Sequence, residues 1–212
     1  MELLPRHQCV IYDGSPSKML PVVAAQIKQM MDKNLRCLYL NSPPMVTGIQ
    51  SYLYAAGIDV SSEIEKGGLV LSSENHSKYG VFDIDYMLGS LREEVEAALA
   101  DGYKGLWATG DMTWELGADN DPEKLLEYER RLDKLFQEQP ALSGLCQYHV
   151  NTLTKELVYS GVITHPIFFI NDTLALSNPH YAPPGKEIEQ GAFITWIEEK
   201  IQELCALQPK KD

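Results

Sequence analysis

QCVIYDGSPSKMLPVVAAQIKQMMDKN, residues 8–34, reads as a strand, a short polar loop and a helix. The strand is QCVIYD (8–13). The helix that follows places apolar residues at three- and four-residue steps, the period of a buried helical face. Further along, RCLYLN (36–41), GGLVLSS (67–73), KGLWATGD (104–111) and LSGLCQYHV are short apolar runs rich in β-formers. Helical patterns separate them, among them VTGIQSYLYAAG closing on Gly57 and DIDYMLGSLREEVEAALADG closing on Gly102. Asp121 followed by Pro122 is a helix-start signal for DPEKLLEYERRLDKLFQEQP. Two apolar runs in PIFFINDTLALSNPHY, broken at ND, predict a β-hairpin at the sheet edge. An amphipathic helix is expected over 186–207. Strands alternating with crossover helices predict an α/β fold of three layers, a mostly parallel sheet with helices on both faces. Residues 1–212 are expected to form a single domain.

Composition narrows the function. The 212 residues carry 18 Lys plus Arg against 30 Asp plus Glu, a formal charge of −12. That balance argues against a nucleic-acid partner, which needs a basic face. The four cysteines (Cys9, Cys37, Cys146, Cys205) form no CxxC pair and read as reduced residues of a cytoplasmic protein. No run approaches membrane-spanning length, so no membrane partner is expected.

The loop after the first strand, DGSPSKML (13–20), occupies the position of a phosphate-binding loop. It has Gly14 and Lys18 but lacks the second glycine and the Lys-Ser/Thr pair of GxxxxGK[ST]. Pro16 also removes an amide from any cradle. The P-loop is lost, and the site reads as a polar cap on the first helix. Asp111, at the end of ATGD, therefore has no nucleotide-bound magnesium to serve. It is left to another ligand or to ending its strand.

Several segments, in order, resemble one family: HQCVIYD (7–13), GVFDIDYMLGSL (80–91), ATGDMTWEL (108–116), LLEYERRL (125–132), LCQYHVNTL (145–153) and THP…NPHYAPP (164–184). Together they are similar to the MEDS family, the methanogen and methylotroph sensory domain of a dichloromethane-responsive regulator. The resemblance implies a RecA/KaiC-like fold without its ATPase motif, and a sensory role binding small hydrocarbon derivatives. No cofactor is expected. Relatives attach this domain to a helix-turn-helix or a histidine kinase. This chain carries neither, so its output is expected to run through an effector protein in trans or through a homodimer.

Strand ends that should share one rim carry Tyr12 and Asp13, Asn41 and Ser42, Asp111 to Trp114, and Tyr148 with His149. An aromatic pocket with a few polar anchors suits a small, partly apolar organic ligand. His165, before Pro166, either polarises that ligand or satisfies a buried carbonyl. Tyr181, in the rigid NPHYAPP segment, belongs either to a lid or to a stiff linker. Cys146 and His149 have a metal-like spacing, and His7, Cys9 and His165 could fold nearby. Residues three apart on a strand face opposite ways, however, so no metal site is expected. Asp111 and Glu115 could act as an acid/base pair or anchor a loop, and no nucleophile motif accompanies them. The leading reading is a non-catalytic sensor. Its rivals are a degenerate nucleotide-binding protein, a hydrolase using Asp111, Glu115 and a histidine, and an interaction module dimerising through its last helix. That helix carries an apolar stripe of Phe193, Trp196, Ile197, Ile201 and Leu204.

Overall fold

The computed structural model describes residues 6–117, 121–171, 174–177 and 181–183, together with Thr195 and Glu199, both helical. The expected helix 186–207 otherwise lies outside the described residues, as does the start of NPHYAPP.

The chain opens with strand β1 (His7–Tyr12), a short 3-10 turn at Pro16–Met19 and helix α1 (Leu20–Met31). Strand β2 (Arg36–Leu40) leads into α2 (Pro43–Ala55) and α3 (Val60–Glu65), followed by β3 (Leu69–Ser72). A two-stranded ribbon, β4 (Ser77–Lys78) and β5 (Val81–Phe82), precedes α4 (Ile84–Ala100). Then come β6 (Leu106–Asp111), α5 (Met112–Leu116), α6 (Pro122–Glu138) and β7 (Leu142–His149). The last described elements are α7 (Lys155–Val162), β8 (Ile167–Ile170) and β9 (Leu174–Ser177).

Seven strands form one sheet in the order β3-β2-β6-β7-β1-β8-β9. All its neighbours pair parallel except β8 and β9, which form the expected antiparallel edge hairpin. Strand alternation sends side chains into two cores. Val10, Tyr12, Cys37, Tyr39, Trp107 and Leu145 pack with residues of α1, α2 and α3. Cys9, Ile11, Leu38, Leu40, Cys146 and Tyr148 pack with α4, α6 and α7 on the opposite face. Because both faces are covered, the central strands are mostly apolar, and β2 is buried at every position, Arg36 included. Among the described residues no helix is long and apolar enough to cross a membrane.

The start of α6 follows its sequence signal. Asp121 Oδ1 accepts from the amides of Glu123 (3.0 Å) and Lys124 (3.2 Å), with Pro122 at the first helical position. Asp121→Ala is expected to cost about 1 kcal/mol, the usual value of such a cap. A shift in the urea midpoint at unchanged slope would measure it, and no shift would show the helix start held by other contacts.

Three elements were not anticipated. The ribbon turns through Tyr79 (φ 57°) and Gly80 (φ 80°), a two-residue turn whose strands are too short to show alternation. Helix α3 is a six-residue segment capped by Asp59, which accepts from the Ser62 amide. The third is α5. The chain does not run on past Asp111 as a strand end but turns at once into a helix that Asp111 itself caps.

Candidate functional site

The carboxyl ends of β2, β6 and β7 open on a cavity of about 340 Å³. Ser15, Pro16 and Ser17 of the first loop form one wall, and Asn41, Ser42 and Met45 at the start of α2 another. Asp111, Thr113, Trp114, His149 and Thr152 complete it. Six of the residues expected at the rim, Asn41, Ser42, Asp111, Thr113, Trp114 and His149, therefore line one space. Tyr12 lies just behind them, and its hydroxyl donates to Asp111 Oδ2 at 2.8 Å. Its ring stacks on His149 with centroids 4.9 Å apart, because Tyr12 and His149 are register partners on adjacent parallel strands. Burial, then the Asp111 carboxylate, push the Tyr12 phenol well above its ordinary pKa, so it stays a donor. The other Asp111 oxygen accepts from the amides of Thr113 (2.9 Å) and Trp114 (3.3 Å). Trp114 presents a buried indole N–H with no hydrogen-bond partner among the described residues.

The first loop is folded against phosphate binding. The amide of Gly14 donates to Asn151 Oδ1 at 2.7 Å, and that of Asp13 to Asn171 Oδ1 at 3.2 Å. The Lys18 amide closes on Ser15 O at 2.9 Å, and Pro16 has none. His149 Nε2 donates to Gly14 O at 2.7 Å, which leaves Nδ1 to accept from Thr152 Oγ1 at 2.9 Å. The Gly14 turn thus has its carbonyl engaged by the last residue of β7 and its amide by the segment that follows. Asp13 borders this loop but does not line the cavity.

Tyr148, His165 and Tyr181 are not at this rim. Tyr148 and His149 are consecutive on β7, so they point to opposite faces, and the expectation of one shared cavity fails for that reason. Tyr148 turns into the α6/α7 side, where its hydroxyl donates to Glu129 Oε1. His165 lies on the same side, its Nδ1 donating to the Gly161 carbonyl at 2.6 Å. Tyr181 reaches Asp133 Oδ2 at 2.9 Å. Its hydroxyl is raised above the usual phenol range by burial first and the Asp133 charge second.

These three surround a buried polar cluster that sequence reasoning assembled only in part. His7 Nε2 lies 3.3 Å from Glu129 Oε2, and His165 Nε2 lies 3.7 Å from the same oxygen. Cys146 Sγ is 3.8 Å from His7 Nε2, and His7 Nδ1 is 3.3 Å from Asp133 Oδ1. His7 is 2 % exposed, Glu129 and His165 0 %. Burial alone would lower the His7 pKa, but the adjacent carboxylates of Asp133 and Glu129 win and raise it. His165 is driven well below the ordinary value by burial and then by His7. The Cys146 thiol is raised by burial and by Glu129. Helix α6 supplies Glu129 and Asp133, which share its buried stripe with Leu125, Tyr128, Leu132 and Phe136. That spacing was the available signal: two acids at core positions of a helix whose other acids face water.

Cys146 and His149 do face opposite ways, as the strand period requires. Asp111 and Glu115 do not share a space either. Glu115 lines a separate small pocket of about 30 Å³ beneath β6, and its Oε2 contacts His76 Nδ1 at 3.2 Å.

A family model described as MEDS, the MEthanogen/methylotroph, DcmR Sensory domain, matches residues 6–166. Among solved structures, a KaiC-like protein of the hyperthermophilic archaeon Pyrococcus horikoshii superposes with a TM-score of 0.54 at 11% sequence identity. The match covers 77% of this chain and 69% of that one. At that identity the likeness shows the fold, which is RecA/KaiC-like. No curated protein matches the chain.

Proposed function

The chain belongs to the MEDS family of sensory domains, and from that premise we propose that it is a non-catalytic sensor whose small organic ligand occupies the rim cavity. The observation that carries this reading is the pairing of a cavity of about 340 Å³ with a first loop in which the amides of Asp13 and Gly14 are already engaged. The volume falls at the low end of small-molecule sites, about 300–1,000 Å³. Met45 and the Trp114 ring supply apolar wall, while Asn41, Asp111 and Thr152 supply a few directional polar groups. Occupancy passes to an effector chain, and a homodimer is the assembly we propose.

Native mass spectrometry of freshly purified protein tests ligand and assembly together. A retained small organic molecule and a dimer mass are the expected result. Mg-ATP should give no saturable heat up to millimolar concentration, because backbone donors of the cradle are committed to Asn151 and Asn171. Micromolar affinity for ATP, or hydrolysis abolished by Lys18→Ala, would replace the sensor with a degenerate nucleotide-binding protein. For any retained molecule, Trp114→Ala should weaken binding about tenfold or more, roughly 1.4 kcal/mol. Unchanged affinity would move the ligand elsewhere.

A further inference from the structure

On the face of the sheet opposite the rim cavity, four buried side chains turn ligand atoms toward one point. His7 comes from β1, Glu129 from α6, Cys146 from β7, and His165 from just beyond α7. One atom of each lies within 4.8 Å of all the others. A tetrahedral ion with bonds of about 2.0–2.3 Å to nitrogen, oxygen and sulfur holds its ligand atoms roughly 3.3–3.6 Å apart. Three of the six separations, 3.3 Å and 3.7 Å from Glu129 Oε2 to the two imidazoles and 3.8 Å from sulfur to His7, lie near that range, and the others, all within 4.8 Å, close to it by a contraction of at most about 1 Å. We propose that His7, Glu129, Cys146 and His165 form a closed, four-coordinate site for a zinc-like divalent cation.

Three further observations support it. Three of the four ligands are oriented from behind, which is the usual second layer of a metal site. Asp133 stands 3.3 Å from His7 Nδ1, the Gly161 carbonyl accepts from His165 Nδ1 at 2.6 Å, and Tyr148 donates to Glu129 Oε1. Both imidazoles are thereby left with Nε2 facing the centre. Glu129 Oε2 is fully buried and has no hydrogen bond among the described residues, although two ring nitrogens stand within 3.7 Å. A buried carboxylate oxygen that faces only ring nitrogens is placed to ligate a cation. Finally, a thiolate and a carboxylate together neutralise a dication, so the ion and its four ligands carry no net charge. Two nitrogens, one sulfur and one oxygen form a borderline-soft donor set that suits zinc.

Four protein ligands leave no position for water, so the cation is structural. It would tie β1 and β7 to α6 and to the connection after α7. Cys146 is three residues from His149, so the same ion anchors the strand whose end lines the rim cavity. The site stands whether or not that cavity holds an organic ligand.

The test strips the reduced full-length chain with a chelator and titrates it with Co²⁺ as the probe. One equivalent per chain should bind, with the intense visible bands of four-coordinate cobalt and a near-ultraviolet thiolate band. Cys146→Ser should abolish the thiolate band, and His165→Ala should weaken binding at least tenfold. Tyr79→Ala, on the exposed ribbon, should alter neither. A wild-type chain that takes up no stoichiometric cobalt, or a thiolate band that survives Cys146→Ser, overturns the site. Should the variants fail to fold, the wild-type chain decides. Uptake of one equivalent that raises the melting temperature supports the site, and uptake without stabilisation rejects it.

Discussion

Glu129→Ala is expected to lower the folding free energy by about 3–5 kcal/mol, the usual cost of removing one partner from a buried charged network. The measurement is urea unfolding with a chelator present, so that no bound cation enters the comparison. Glu129 is 0 % exposed and sits where β1, β7 and the end of α7 meet α6. Truncation leaves Tyr148 with a buried hydroxyl and no acceptor. It also removes one of the two carboxylates that favour a protonated His7. Glu129→Gln should cost less, because an amide oxygen still accepts from Tyr148 while the charge beside His7 is lost. Near-equal losses for Ala and Gln would mean that charge, rather than the acceptor, carries the energy. A loss under about 1 kcal/mol for Ala would show that solvent reaches the cluster and that the network contributes little.

The frame of the molecule was open to sequence reasoning because its signals are local. The Asp121–Pro122 start of α6, the edge hairpin at 167–177 and the apolar strands all follow from period and turn chemistry within a dozen residues. The RecA/KaiC-like layout follows from their alternation together with the family resemblance. The site was less legible because facing depends on register between strands far apart in sequence. Tyr148 and His149 were grouped although one-residue spacing on a strand forbids it. The same period had correctly separated Cys146 from His149, and applied to the neighbouring pair it would have sent Tyr148 to the other face. Glu129 and Asp133 were hidden in the most charged helix, whose surface residues Glu127 and Arg131 do pair in solvent. Only their place on the apolar stripe set them apart. His7 was named as a neighbour of Cys146, but the carboxylate that joins them lies 122 residues further on, beyond any local pattern.

Asp111→Ala is expected to cost about 2–4 kcal/mol, and this large effect answers what a carboxylate does at the end of an apolar strand. Two functions are lost together. One is the cap on α5, where Oδ1 accepts from Thr113 and Trp114; such caps contribute about 1 kcal/mol, within a range of 0.5–2. The other is the acceptor for the Tyr12 hydroxyl, whose orphaning inside the fold costs about 1–3 kcal/mol. Asp111→Asn separates them. Its amide oxygen still caps the helix, and its NH₂ can donate to the Tyr12 oxygen, so the loss should stay near 1 kcal/mol. Tyr12→Phe in the Asp111→Ala background removes the stranded hydroxyl, so the double variant should be more stable than the two single losses added together predict. Strict additivity would mean that the 2.8 Å contact carries no coupling and that Asp111 is only a helix cap. Coupling of about 1 kcal/mol or more would identify Asp111 as the post that locks β1 to β6 across β7. The wall of the rim cavity would then be built by the same carboxylate that the lost phosphate loop left without a metal to hold.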